Sequence, residues 1–393
     1  MSRTRLLQEY RKMRFEEVYA SWTENKLTQE EAARILGVSD RTFRRYMLRY
    51  KEHGIEGLID KRIEQVSWRR APVDEVMQVT TLYHTHYFGW NVKHFFSFYK
   101  RKHSGERSYS WVKKVLQKQG LIKISQKKGA HRIKRERAPM EGMMLHQDGS
   151  DHEWVPNIRW DLIVTMDDAT STHYSMFFVE EEGTASSFKG MKEVILAKGL
   201  CCSFYSDRGS HYWLTPDVGG SVDKHQLTQF GRALHQLGIE MIPAYSPEAR
   251  GRSERAFKTH QGRLPKELAL LGITTINEAN QYLTNVYMPA FNAEFAVPAT
   301  VEGSAFVPWI SGEIDDILCE QYERTVRKDN CVKFEGLVLQ IPKDQYRCHY
   351  IKAKVRVHRY ADGQLSIFHG PRKLASYDAK GNLKMLLEEA KAA

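Results

Sequence analysis

The fold of this 393-residue chain is decided by residues 143–181, MMLHQDGSDHEWVPNIRWDLIVTMDDATSTHYSMFFVEE. Three runs in this stretch, MMLHQD, WDLIVTMDD and THYSMFFVEE, alternate or cluster apolar and β-branched residues, which is typical of strands. The polar turn Asp168-Ala169-Thr170-Ser171 separates the second run from the third. The pattern therefore predicts three antiparallel strands.

The segments that follow alternate between helix and strand. We predict a helix around residues 184–197, the strand CSFYSD, a helix around 228–237, the strand IEMIPA and a long helix that begins near Ser253. Antiparallel strands followed by strand-helix alternation indicate a mixed sheet with helices packed on it. The central part of the chain is therefore expected to be an α/β domain.

Residues 27–50, LTQEEAARILGVSDRTFRRYMLRY, predict two short helices joined by a tight turn. Thr28 and Glu31 form a capping box, Gly37 permits the turn, and Ser39 caps the second helix. The apolar seam between the helices is expected to contain Ala32, Ile35, Val38, Phe43 and Met47. The outer face then carries Arg41, Thr42, Arg44, Arg45 and Arg49, which are suited to a major groove. This is a helix-turn-helix pattern; the alternative is a helical hairpin with a basic, solvated face.

A second helical unit is expected over residues 72–122, opening at Pro72. Its last helix is capped by Ser108 or Ser110. We expect Val112, Val115 and Leu116 to face inward and Lys113, Lys114 and Lys118 to face outward. This pattern indicates a second helix-turn-helix or winged-helix module, although the same spacing also fits a plain helical core.

A basic linker, residues 123–139, follows the helical units. Its candidate phosphate contacts are Lys127, Lys128, Arg132, Lys134 and Arg135. Residues 1–140 contain 31 Lys and Arg against 15 Asp and Glu, a net charge of +16, whereas the remaining residues sum to −5. This asymmetry favours a DNA-binding N-terminal part, with a solubilising surface or a solvated spacer as the alternative.

Composition excludes several other classes of protein. The N-terminus has no uninterrupted apolar run, so we expect neither a signal peptide nor a membrane span and place the protein in the cytoplasm. Five cysteines without a CxxC pair argue against a disulfide framework. His84 and His86 could form half of a zinc site, but no paired cysteines follow them at ligand spacing.

The C-terminal part, roughly residues 323–378, returns to short strands separated by Gly and Asp turns, which indicates a small barrel or barrel-like sheet. Its alternating basic residues could lie on DNA or face solvent. These residues are Lys352, Lys354, Arg356, His358 and Arg359. The final KMLLEEAKAA is expected to be a terminal helix.

Three carboxylates stand out because of their places in this pattern. Asp148 is expected at the end of the first strand, Asp207 at the end of the fourth, and Glu254 early in the long helix. Clustered like charges need cations, and hard oxygen ligands favour Mg²⁺ or Mn²⁺. Two such ions, about 3.5–4 Å apart, would activate the attacking oxygen and stabilise the leaving oxygen of a phosphoryl displacement.

Other acidic residues compete for these roles. We expect Asp151 in the loop after the first strand, Asp167 and Asp168 in a hairpin turn, and Glu248 at a helix N-terminus. Basic residues near Glu254 are candidate DNA contacts: Arg250, Arg252, Arg255, Lys258 and Arg263. Lys258 could hold a phosphate or pair with Glu254 four residues earlier. Tyr245 and His211 are further candidates for positioning DNA.

The motifs DGS, DDATS, YSDRGS, LTQFGRAL and SPEARGRSER, in this order, resemble the DDE transposases of the retroviral-integrase superfamily, and in particular bacterial insertion-sequence transposases of the ISNCY type. The resemblance spans about residues 27–300. It implies an RNase H-like core, the catalytic and metal-binding trio Asp148, Asp207 and Glu254, and action as a multimer, at least a dimer, on terminal inverted repeats of double-stranded DNA. The chain departs from retroviral integrases in two ways. It has 46 residues between Asp207 and Glu254, a longer spacing in which we expect the Gly-rich stretch 211–226 to be a surface loop. It also lacks the zinc-binding N-terminal domain.

These inferences predict a multidomain protein. Its domains are a helix-turn-helix domain (1–65), a second helical DNA-binding domain (66–122), the linker (123–139), the RNase H-like catalytic core (140–300) and the β-rich, barrel-like domain (301–393). The expected function is transposition by metal-dependent strand cleavage and strand transfer. The alternatives are a transposase-derived transcriptional regulator and an RNase H-type metal nuclease.

Overall fold

A computed structural model describes residues 3–59, 70–124, 136–215, 222–223, 226–245, 251–310 and 312–384. Its contacts divide the chain into two compact units, Met1–His86 and Tyr87–Ala393. The helices are α1 Arg3–Thr23, α2 Gln29–Ile35, α3 Asp40–His53, α4 Val73–His86, α5 Val92–Lys102, α6 Tyr109–Lys118, α7 Thr184–Ala197, α8 Gln229–Gln236, α9 Gly251–Leu271, α10 Ile276–Tyr282 and α11 Met288–Phe295. The strands are β1 Met144–Val155, β2 Ile158–Asp167, β3 His173–Val179, β4 Ser203–Ser206, β5 Glu240–Pro243, β6 Glu320–Thr325, β7 Cys331–Phe334, β8 Leu337–Gln340, β9 Lys354–Arg359, β10 Leu365–His369, β11 Arg372–Tyr377 and β12 Leu383–Lys384.

Helices α2 and α3 of the first unit form the predicted helix-turn-helix. The capping box at Thr28 is present, and the Ser39 side chain accepts a hydrogen bond from the backbone N–H of Thr42. Gly37 has φ +64°, a left-handed conformation that glycine adopts without steric cost. The hydrophobic core is built from Phe15, Val18, Ala32, Ala33, Phe43 and Met47. One seam residue was predicted wrongly: Ile35 is 41% exposed, because Ala33 takes the inward position on α2.

The second unit is organised around a five-stranded sheet of order β3-β2-β1-β4-β5. Strands β1, β2 and β3 pair antiparallel, whereas β1, β4 and β5 pair parallel, so the predicted mixed sheet is confirmed. Leu145 packs with residues of α7 and α8, while Val164, which is paired with Asp148 and shares its face, packs with residues of α9, α10 and α11. Helices therefore cover both faces, and Asp148 lies on the α9 face.

Strand β1 is longer than predicted. It runs seven residues beyond Asp148 because it pairs with β2 along the whole hairpin, as far as Val155 opposite Ile158. Asp148 is therefore inside β1 and not at its end, and Asp151 is not in a loop. Asp151 is paired with Asp161 across the strands and forms an exposed ion pair with Arg159.

Helices α5 and α6 belong to the second unit together with the mixed sheet. Ser108, and not Ser110, caps α6 by accepting a hydrogen bond from the backbone N–H of Trp111. Val112 and Leu116 are fully buried, as predicted, and Val115 is partly buried.

The C-terminal strands form an antiparallel sheet of order β12-β11-β10-β9-β6 and the hairpin β7-β8. The sheet and the hairpin share one core, which includes Val332, Leu339, Val357 and Ile367. In the part of the chain that the structure describes, β12 pairs with β11 only and β6 with β9 only, so the sheet is open and the expected small barrel is not confirmed. Lys384 lies in β12, and the rest of the predicted terminal helix lies outside the described residues.

None of the described helices combines the length and the apolar character that crossing a membrane requires.

Candidate active site

Asp148 lies in β1, and Asp207 follows the last residue of β4, the parallel neighbour of β1. His146 is the last β1 residue whose partner on β4 is assigned, and that partner is Tyr205. Asp148 follows this pair by two residues within β1, so it lies on the face that carries His146, and Asp207 follows the pair by two residues, one residue past the end of β4. Asp148 is 8% exposed, and Asp207 is partly exposed. The parallel pairing therefore brings the first two predicted carboxylates to one edge of the sheet.

Glu254 reaches the same edge from helix α9. It lies in the first turn of α9, and its side chain is exposed. Together with Asp148 it lines a cleft of about 410 Å³, whose other residues are Gly149, Ser150, Phe257, Lys258 and Gln261. The Gln261 side chain donates a hydrogen bond to the Ser150 hydroxyl at 3.0 Å, which joins α9 to β1 below the cleft.

A fourth carboxylate, which the sequence analysis did not single out, lies against Gly149, the β1 residue that follows Asp148. A Cβ atom built on Gly149 would stand 2.1 Å from Oε2 of Glu182, so the glutamate occupies the space that a side chain at position 149 would need. Oε1 of Glu182 lies 3.5 Å from Nε2 of His211. A signal for this position was present: β3 runs parallel to β1 through their common antiparallel partner β2, so residues just beyond β3 meet the same sheet edge.

The pKa of Tyr212 reflects the negative charges near this edge of the sheet. Burial raises the pKa of its hydroxyl well above the usual value, and the charges of Glu182, Asp148 and Asp207 raise it further. The hydroxyl donates a hydrogen bond to Oε1 of Gln147 at 3.0 Å. Tyr212 and Trp213 are buried, so the expectation of a surface loop over residues 211–226 is wrong at its beginning. Residues 216–221, 224 and 225 of that stretch lie outside the described part.

Asp167 and Asp168 have different roles, although both were expected in the hairpin turn. Asp167 accepts hydrogen bonds from the backbone N–H and the hydroxyl of Thr170, as a turn aspartate does. The Asp168 carboxylate, which is fully buried like that of Asp167, bonds instead to His146 and Arg252. Asp167 makes the hydrogen bonds of the turn, so the Asp168 carboxylate is available for contacts with β1 and α9.

The donor chemistry of the site fits a hard divalent cation, because the carboxylates supply oxygen ligands that repel one another without a counter-charge. Among the described residues, however, no three His, Cys, Asp or Glu side chains lie close enough together to hold a metal ion as they stand. The structure thus brings Asp148 together with Glu254 in one cleft and with Asp207 at one strand edge, without a closed ligand set.

The predicted DNA contacts fall into three groups. Arg41, Arg44, Arg45 and Arg49 are exposed on α3, as are Lys114 and Lys118 on α6 and Arg255 and Lys258 on α9, whereas Thr42 and Lys113 are partly buried. Arg252 bonds to Asp168, and Arg263 is not available for a phosphate because it is buried and pairs with Glu294. Lys127, Lys128, Arg132, Lys134, Arg135, Glu248 and Arg250 lie outside the described residues.

Comparison with known proteins adds relatives to this geometry. Residues 22–77 match the family model described as a winged helix-turn helix. A putative transposase, y4bF, from Sinorhizobium fredii is 27% identical over 357 residues, which cover 89% of this chain and 77% of that protein. The transposase for insertion sequence IS1202 from Streptococcus pneumoniae is 24% identical over 379 residues, which cover 87% of this chain and 81% of that protein. The chain resembles bacterial transposases over most of its length.

Solved structures with a similar chain include retroviral integrases. An intasome of simian T-cell lymphotropic virus in complex with a PP2A regulatory subunit is 14% identical, with a TM-score of 0.33, and covers 66% of this chain and 84% of that chain. The catalytic core domain of HTLV-2 integrase, solved with magnesium, is 14% identical, with a TM-score of 0.30, and covers 38% of this chain and 88% of that chain.

Proposed function

We propose that this chain is a DNA transposase that binds the terminal inverted repeats of its insertion sequence and cleaves and joins DNA strands with Asp148, Asp207 and Glu254. The observation that supports the proposal is the cleft that Asp148 and Glu254 line together, in which Asp148 belongs to the strand paired with β4. Asp148 and Asp207 follow paired positions of parallel strands, and Glu254 lines the same cleft as Asp148. The transposase relatives, which extend over most of the chain, favour this chemistry over that of other carboxylate sites.

The three carboxylates would hold divalent cations, Mg²⁺ or Mn²⁺, which supply Lewis-acid activation of oxygen when bound. In the first reaction a water oxygen attacks phosphorus at the element end; the bond from phosphorus to the 3′ oxygen breaks, and the water proton passes to solvent. In the second, the liberated 3′-hydroxyl attacks a phosphorus of the target DNA and displaces the target's own 3′ oxygen. The first reaction hydrolyses one phosphodiester bond, and the leaving 3′ oxygen takes up a proton from solvent; the second is a transesterification that breaks one phosphodiester bond and forms another.

Basic residues around the cleft would position the DNA. Lys258 lines the cleft together with Glu254, and its side chain is exposed. Its ammonium group is thus placed to contact a phosphate next to the carboxylates. The exposed arginines of α3 would read the repeats in the major groove, and the exposed lysines of α6 would contact the backbone.

The test uses the full chain with labelled duplexes taken from the DNA that flanks its gene, in Mg²⁺ or Mn²⁺. We expect strand cleavage at the element end and joined products with a target duplex. Asp148→Asn, Asp207→Asn and Glu254→Gln should each reduce both products by at least about a hundredfold, since each removes a charge from the trio. Asp151→Asn is the matched control, because Asp151 lies three residues from Asp148 in an exposed ion pair.

Each outcome discriminates between functions. Parental activity in the three variants would refute the assignment of the trio. Cleavage without joining would indicate the RNase H-type nuclease, and repeat binding without cleavage in either cation would indicate the transcriptional regulator.

A further inference from the structure

The buried carboxylate of Asp168 joins the three segments that carry the proposed trio. Its side chain is fully buried. His146 on β1 donates a hydrogen bond from Nε2 at 2.6 Å, and Arg252 on α9 forms an ion pair with the same oxygen. The backbone N–H of Ala138 donates to the other oxygen at 2.7 Å.

The partners of Asp168 are placed regularly relative to the trio. His146 lies two residues before Asp148, and Arg252 lies two residues before Glu254. The ring of Tyr205, two residues before Asp207, packs edge-on against the His146 ring, with the centroids 5.0 Å apart. Asp168 therefore contacts, directly or through one ring, the residue two positions before each of the three carboxylates.

The contacts of Asp168 with His146 and Arg252 form a junction, and the burial of its carboxylate makes this junction rigid. An ionised carboxylate in the interior is tolerated only with partners that compensate its charge, so Arg252 cannot leave without a large free-energy cost. The Arg252 side chain is 13% exposed and lies in the first turn of α9. This ion pair fixes the beginning of α9, and with it Glu254, relative to β1.

A second arginine secures the Asp168 backbone from the other side. Nη1 of Arg137 donates to the Asp168 carbonyl at 3.0 Å, to the Ala169 carbonyl at 3.1 Å and to the Ser171 hydroxyl at 2.8 Å. The Asp168 N–H also donates to the Met144 carbonyl at the start of β1, at 2.9 Å. These backbone contacts hold the turn against β1, and the Asp168 side chain extends from the turn to α9.

We propose that Asp168 is a positioning residue for the divalent-cation site: its junction with His146 and Arg252 sets the distance between the helix that carries Glu254 and the strands that carry Asp148 and Asp207. This inference rests on the proposed function. Asp168 touches neither DNA nor cation; it acts through the segments that it joins.

The test compares Asp168→Asn, Arg252→Gln and Arg252→Lys with the exposed pair of the same hairpin, Asp151→Asn and Arg159→Gln. Two quantities are measured on the full chain: Mn²⁺ binding without DNA, by calorimetry, and the cleavage rate as a function of Mn²⁺ concentration. We expect Asp168→Asn and Arg252→Gln to weaken Mn²⁺ binding and raise the half-saturating concentration by about tenfold or more, the usual effect of removing a partner that orients metal ligands. Arg252→Lys, which keeps the charge, should recover part of this loss, and the control variants should match the parent.

The outcomes separate this inference from the function on which it rests. A parent that neither cleaves DNA nor binds Mn²⁺ refutes the proposed function. An active parent whose Asp168→Asn variant binds Mn²⁺ and cleaves as the parent does refutes the positioning role, as does a loss in Arg252→Gln that Arg252→Lys does not reduce at all. If Asp168→Asn does not fold, as judged by circular dichroism, the two Arg252 variants decide the question.

Discussion

At the scale of single residues, Gly149 is the tightest point of the candidate site. Its φ lies outside the left-handed range, so the backbone conformation does not demand glycine. The space around Gly149 favours glycine, because the Glu182 carboxylate fills the position of a side chain: its Cδ lies 2.4 Å and its Oε2 2.1 Å from a Cβ built on Gly149. A glycine in a strand often marks such a close approach of a neighbouring group.

We expect Gly149→Ala to destabilise the protein by at most about 1 kcal/mol, because the new methyl displaces the Glu182 carboxylate, the far end of a flexible side chain. Adding Glu182→Ala should restore most of the loss, since it removes the group that the new methyl meets. Urea unfolding of the two single variants and the double variant gives the interaction free energy.

Gly262→Ala is the matched control for this series. Gly262 is an exposed residue of α9, and a built Cβ meets no atom within 4 Å. Alanine there should stabilise the helix by about 0.5–1 kcal/mol. Additive effects of Gly149→Ala and Glu182→Ala would contradict the steric explanation.

At the scale of elements, helix α5 is fastened to the helix that carries Glu254. His94 on α5 donates a hydrogen bond from Nε2 to the Glu267 carboxylate on α9 at 2.6 Å, and both side chains are buried. Burial lowers the pKa of His94, with Glu267 acting in the opposite direction, so the contact is a hydrogen bond from a neutral ring and not a full ion pair. Ser97 adds a bond to Glu294, which also pairs with Arg263.

We expect His94→Ala to release α5 and α6 from the catalytic part, because it leaves the buried Glu267 with one donor fewer, at a cost of about 3 kcal/mol. Hydrogen exchange should then accelerate in the amides of residues 92–118. Glu323→Gln, which breaks the exposed Lys354–Glu323 pair, is the control and should leave these exchange rates as they are in the parent. Parental exchange rates in His94→Ala would show that the hydrogen bond does not fasten α5.

The elements that could be predicted from the sequence are those with a local signature. Helix α7 was predicted at its observed bounds, and the Thr28 capping box and the Ser39 cap depend on residues three positions apart. The end of β1 could not be predicted, because Gly149, Ser150 and Asp151 are polar or small where the strand meets solvent, and only the pairing with β2 extends it.

Contacts between distant residues explain the rest of what the sequence did not reveal. His94 and Glu267 are 173 positions apart, and Asp168 and Arg252 are 84 apart, so no local pattern marks either pair. The proximity of Asp148 and Asp207 was expected from strand ends, although Asp148 lies inside β1, whereas Asp168 was assigned to a turn whose hydrogen bonds Asp167 already makes.

At the scale of the whole molecule, the helix-turn-helix and the candidate active site belong to different units. The helix-turn-helix lies in the unit Met1–His86, and the candidate active site lies in the unit Tyr87–Ala393. Each unit has a hydrophobic core of its own. Substitutions on the surface of α3 are therefore expected to change DNA affinity without altering the carboxylate site.

We expect Arg44→Gln and Arg45→Gln, on the exposed face of α3, to weaken binding to a repeat duplex, by about 1–3 kcal/mol for a residue that reads a base. A residue that contacts only phosphate should instead lower the slope of log affinity against log salt by about one. Fluorescence anisotropy of the full chain over a range of salt concentrations, without divalent cations, distinguishes the two cases. Arg11→Gln removes an equal charge from an exposed position of α1 and should have the smaller effect; equal losses in all three variants would mean that α3 contributes only charge and does not read the repeat.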